Sequence, residues 1–102
     1  MAEPGEKYET ALMEAAETKS EALRLERLAK RVFSACYLAE AGTIAEREHR
    51  ARINPKFIAV EDEWLTAEQA ANTAGAKAEA MKVKFDYWRT LEATERAKMQ
   101  LR

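Results

Sequence analysis

The amino-acid sequence predicts an all-α protein: a long antiparallel two-helix coiled-coil hairpin with a short helix at its turn, dimerising into a helical bundle. Three observations lead there. From Phe57 to Trp88 the positions Phe57, Val60, Trp64, Ala67, Ala71, Ala74, Ala78, Met81, Phe85 and Trp88 keep an unbroken 3-4 spacing without a charge. Such a run marks one face of a helix built to lie against another helix. A second set with the same spacing, Tyr8, Ala11, Ala15, Thr18, Ala22, Leu25, Ala29, Val32, Cys36 and Ala39, precedes it. The third observation is composition: 34% charged residues with only three Gly and two Pro suits long helices and not sheets, which need turn residues and β-branched runs.

The first helix is expected over residues 6–41, after Pro4-Gly5. Glu3, Glu6 and Glu9 place carboxylates at the positive end of its dipole. Gly42 reads as the residue that ends it, because glycine enters positive φ without steric cost. Thr43-Ile44-Ala45-Glu46 has the form of a capping box and opens a short helix over residues 44–52. Asn54-Pro55 then breaks the chain and starts another: Asn is a good N-cap, and Pro at the first helical position loses no hydrogen bond there. Ile53 and Ile58 stand at the spacing of a hydrophobic staple. The second long helix is expected over residues 55–99, interrupted only by Gly75. The 102 residues make a single domain.

The two seams match if the long helices run antiparallel with Ala39 beside Phe57, Val32 beside Trp64, Leu25 beside Ala71, Ala11 beside Phe85 and Tyr8 beside Trp88. Nearly every large residue then meets a small one, as close packing at constant spacing requires. A shift of one heptad, with Phe57 against Val32, leaves other layers empty. Charge follows the same pairing: residues 1–18, 19–56, 57–72 and 73–102 carry net charges of −4, +4, −4 and +3. The expected register sets the acidic start of the first helix beside Lys82, Lys84 and Arg89, and Glu61, Asp62 and Glu63 beside Arg27, Lys30 and Arg31. Exposed pairs of this kind stabilise little but penalise a register that opposes like charges.

One seam buries too little to be secure alone. Leu12, Leu23, Phe33 and Tyr37 on the first helix, and Ile58, Leu65, Val83, Tyr87 and Leu91 on the last, remain off it. Their expected use is self-association of two hairpins into a four-helix bundle. The short helix folding back over Phe33 and Ile58 is the alternative cover. Beyond Trp88 the heptad fails at Glu92 and Glu95, so the last dozen residues are expected to overhang the start of the first helix. Tyr87, Leu91, Arg96, Met99 and Leu101 are the candidate contacts for a partner there.

A net charge of −1 provides no global field toward nucleic acid or membrane. No apolar run approaches the ~20 residues of a membrane span. The stretch Met1-Ala2-Glu3-Pro4-Gly5-Glu6 is acidic and unlike a signal peptide. A single cysteine forms no internal disulfide and fits a reducing compartment, so a cytoplasmic location is expected. Cys36, between Val32 and Ala39 on the seam, reads as a small buried hydrophobe and not as a reactive thiol. His49 has only Glu46 at a ligand spacing and reads as a surface histidine. No nucleophile–base set and no glycine-rich phosphate loop is present, so neither enzymatic activity nor a cofactor or metal is expected. Trp64, Phe85, Tyr87 and Trp88 are candidates to stack on bases; three of the four fall on the seam and read as packing, and Tyr87, off it, is the exception. The basic cluster Arg47, His49, Arg50, Arg52 and Lys56 falls at the hairpin tip, where it is either a solvated loop or a grip for phosphates.

Arg50-x-x-x-Asn54-Pro55-x-Phe57 at the break, and Trp88-Arg89-Thr90-x-x-x-Ala93-Thr94-x-Arg96 near the end, resemble patterns of small uncharacterised bacteriophage and prophage proteins. In that group the residue before the proline is often His, where this sequence has Asn54, and an aromatic follows as Phe57 does. The resemblance spans residues 42–102. It implies a phage-type origin, a helical hairpin and an association with DNA replication or single-strand recombination, and it supplies no catalytic residues. The functional expectation is a non-enzymatic, homodimeric helical protein that presents its surfaces to a protein partner; direct nucleic-acid binding through the tip is the alternative.

Overall fold

The computed structural model describes residues 3–101. It contains three helices and no described strand: α1 (Pro4–Ala39), α2 (Ile44–Ile53) and α3 (Pro55–Gln100). The two long helices pack against each other along most of α1, and α2 packs against both at the closed end. The molecule is a single layer of helices, 83 × 24 × 14 Å. No described helix is long and apolar enough to cross a membrane.

The helix starts follow the local chemistry. Pro4 stands at the first turn of α1, so the helix begins two residues before the expected Glu6, with Glu3 as an N-cap that makes no side-chain hydrogen bond. Thr43 caps α2 by accepting from the Glu46 N–H at 3.3 Å, and Asn54 caps α3 by accepting from the Lys56 N–H at 2.9 Å. The end of α1 departs from expectation. It stops at Ala39, and Glu40 is already extended, so Gly42 lies in the linker and does not cap the helix. Gly42 is nonetheless required: its φ is +118°, and a Cβ there would lie 2.5 Å from the Glu46 carboxylate. Ile53 and Ile58 both remain exposed, so the staple shields little.

Both seams form. Ala11, Ala22, Leu25, Ala29 and Cys36 of α1 and Ala74 and Ala78 of α3 are buried, and Phe57, Val60, Trp64, Ala67, Ala71, Met81, Phe85 and Trp88 are half-buried. The buried set is almost all alanine, so what the core excludes from water is largely backbone and methyl groups. Cys36, a free thiol, is buried as a small hydrophobe.

The register is displaced from the expected one. Phe57 meets Phe33 edge-on, ring centroids 5.3 Å apart, and Ala39 is left exposed. Phe85 packs on Tyr8 at 5.7 Å and against Gly5, where the expected layer sets it beside Ala11. Glu14 pairs with Lys77 at 3.5 Å, in the place expected for Lys82. These contacts slide α3 along α1 toward the neighbouring heptad, in which Phe57 lies beside Val32. The cause is α2. It occupies the space beside the end of α1, with Ala51 fully buried and Arg47 and Arg50 engaged there, so α3 begins further down α1. At the open end Gly5 removes the side chain that would obstruct Phe85. The expected charge pairing changes with the slide: Glu63 acts at longer range on Arg24, and apart from Glu14–Lys77 the ion pairs among the described residues lie within a helix or between α2 and the end of α1.

Candidate interaction surfaces

The open end of the hairpin follows from the register. Pro4 and Lys7 lie beside Met81 and Lys84, so α1 begins about level with Phe85. Trp88 stacks on Phe85 with centroids 6.0 Å apart, and the Arg89 guanidinium lies 5.7 Å from the centre of the same ring. Residues 89–100 then continue as uninterrupted helix with no part of α1 opposite, a projection of roughly 18 Å at 1.5 Å per residue. Trp88, Leu91, Glu92, Glu95, Arg96 and Met99 line a shallow groove on the side of α3 that faces α1 further down. Glu92 accepts from Arg96 at 3.5 Å and Glu95 pairs with Lys98 at 3.7 Å, so the charges border the groove in short intrahelical pairs.

Of the five residues expected as a partner surface, Leu91, Arg96 and Met99 come together on this groove. Tyr87 and Leu101 are also exposed but lie outside it. Trp88, Glu92 and Glu95 complete the surface. The sequence reading assigned Trp88 to the seam and took Glu92 and Glu95 as its end; a helix that outruns its partner carries its inner face on into solvent, and the 3-4 spacing of Trp88, Glu92, Glu95 and Met99 is the signal. Arg102 lies outside the described residues, as do Met1 and Ala2.

The tip separates into two sets. Arg47 is half-buried with its guanidinium 5.9 Å from the centre of the Tyr37 ring, and its Nε is buried without a partner among the described residues. Arg50 donates from Nη1 to the Ala41 carbonyl at 2.8 Å and lies 3.7 Å from a Glu40 oxygen and 3.9 Å from a Glu46 oxygen. Both arginines therefore tie α2 and the linker to α1. His49, Arg52 and Lys56 are exposed. Arg50 is exposed as well, though its guanidinium is engaged locally, so of the five expected phosphate contacts only Arg47 is half-buried, and His49, Arg52 and Lys56 are the three with no such engagement among the described residues.

A third surface was not singled out in the sequence. Ser20, Leu23, Arg24, Arg27, Leu28 and Arg31 line a depression on the outer side of α1. Their 3-4 spacing was the available signal, hidden among the ordinary charges of a helix surface. Arg24 there donates to both oxygens of Glu21, at 2.6 and 3.0 Å, and this hydrogen bonding holds the Glu21 carboxyl below its usual range. Among the described residues no group of three His, Cys, Asp or Glu is arranged to hold a metal ion. No protein-family model, curated protein or solved structure matches the chain.

Proposed function

We propose that this is a non-enzymatic, cytoplasmic interaction protein that presents the projecting end of α3 to a protein partner. The observation that carries the reading is the continuation of the inner face of α3 past α1: Trp88, Leu91 and Met99 form an apolar strip bordered by charges, the anatomy of a helix-docking surface. The shape supports it, because a single layer of helices provides long exposed faces and only shallow depressions, whereas sites for small molecules are concave and enclosing. The resemblance to phage and prophage proteins supports a place in DNA replication or recombination for this activity.

A photo-crosslinking amino acid at Leu91, compared with one at Arg52, tests this in cells. Protein adducts from position 91 and none from position 52 support it; protein adducts from position 52 alone overturn it. The second reading, direct nucleic-acid binding by the tip, rests on the exposed His49, Arg52 and Lys56. It requires binding of labelled DNA that weakens steeply between about 50 and 200 mM salt, and is lost on Arg52→Ala with Lys56→Ala.

A further inference from the structure

We propose that the groove on the projecting end of α3 is filled by the same segment of a second copy, so that two hairpins join end to end through an antiparallel pair of α3 helices. This rests on the reading of that surface as a protein-docking site and names its occupant. Continuity with the existing interface is the first argument. The groove lies on the side of α3 that α1 covers below Phe85, so a helix placed there extends the line of α1. The direction is the second. α1 runs antiparallel to α3, and a second α3 lying antiparallel in the groove therefore points its C-terminal end at the start of α1.

That meeting is electrostatically complementary. The last turn of α3 carries Lys98 and the negative end of a helix dipole. The start of α1 carries Glu3 and Glu6 and the positive end of another. Length is the third argument. If the two projections overlap fully, Trp88 of one copy lies opposite Met99 of the other. The end of the second α3 then arrives where α1 begins. In this alignment Glu92 of each copy is level with Glu95 of the other, and Arg96 of each is level with Leu91, one residue from Glu92 of its mate, so two guanidinium groups lie beside the carboxylates that meet at the centre. The contact is isologous and closes at two copies. It is smaller than a standard interface, which sets the expected affinity at about micromolar or weaker.

Sedimentation equilibrium and small-angle scattering up to about 500 μM test the proposal. The expected result is a reversible dimer whose radius of gyration rises to nearly double the 22.9 Å of one hairpin. Met99→Glu weakens it about tenfold or more, as loss of a central apolar anchor does. Arg96→Glu also weakens it, and Glu92→Lys with Arg96→Glu restores it. Because these positions lie beyond the α1 contact, the thermal transition of the hairpin stays in place, which separates loss of dimer from loss of fold. Three outcomes overturn the proposal: a monomer throughout this range, a dimer indifferent to Met99→Glu, or a dimer whose radius of gyration scarcely changes, the mark of a side-by-side bundle. A monomer that still forms Leu91 adducts with another protein overturns the second copy as occupant and leaves the docking reading standing.

Discussion

Phe85 lies against the backbone of Gly5, with its Cε2 3.2 Å from where a Cβ on that residue would be. This contact sets the start of α1 beside Phe85 at the open end of the hairpin. Gly5→Val is therefore expected to lower stability by about 1–3 kcal/mol, the usual range for overpacking. For a domain of this size that is a fall in Tm of roughly 4–8 °C per kcal/mol. Trp88, stacked on Phe85, reports the displacement by fluorescence. An unchanged Tm and an unchanged spectrum would show that the two helices do not meet there.

Gly75 is the converse case. It is helical, in the middle of α3, and a Cβ on it would meet nothing within 4 Å. Gly75→Ala is expected to stabilise by about 0.5–1 kcal/mol through helix propensity and the lowered entropy of the unfolded chain. A chemical-denaturation midpoint that rises without a change in m-value is the predicted result; a fall would reveal an approach to this position that the isolated chain does not make.

The alanine core sets the spacing of the helices. Ala29 is 1% exposed, whereas Ala67 is only half-buried. Ala29→Leu should cost about 1–3 kcal/mol and Ala67→Leu clearly less, because a half-buried position can turn the added methylenes toward solvent. Equal losses in parallel thermal melts would place both alanines in one closed layer.

At the tip, Gly42→Ala should destabilise by about 1–3 kcal/mol, since a side chain at its φ of +118° is strained, whereas the exposed Glu46 carboxylate near it can swing aside. Arg50→Ala should cost about 1 kcal/mol by removing the hydrogen bond to the Ala41 carbonyl. If Arg50 instead serves a nucleic acid, the substitution leaves Tm unchanged and lowers affinity for DNA.

Much of this fold is legible in the residues. The 3-4 spacing locates both seams, Thr43 and Asn54 announce their caps, and Cys36 is buried where its neighbours Val32 and Ala39 indicate. What escapes is the register. Sliding two heptad seams by seven residues still sets seam against seam and empties only layers at the ends, so the choice falls to features outside the pattern. Here those are the volume of α2 around Ala51 and the missing side chain of Gly5. The same limit applies to the surfaces. Arg47 looks like a free phosphate contact until Tyr37 is seen to cover it, and the still-exposed Arg50 until the Ala41 carbonyl is seen to hold one of its donors. Trp88 is a seam residue by spacing, yet where α1 starts beside Phe85 decides that its groove faces outward.

Because α1 begins beside Phe85 and α3 runs on past it, the described chain enters and leaves at one pole, with the α2 turn at the other. A label, affinity handle or surface tether joined near either terminus thus marks the same pole, and the far turn stands off from it by about the length of α1, roughly 54 Å for its 36 residues. The protein is a mast stepped at one end, and attachment geometry alone can make one pole inaccessible while the other stays free to sample solution.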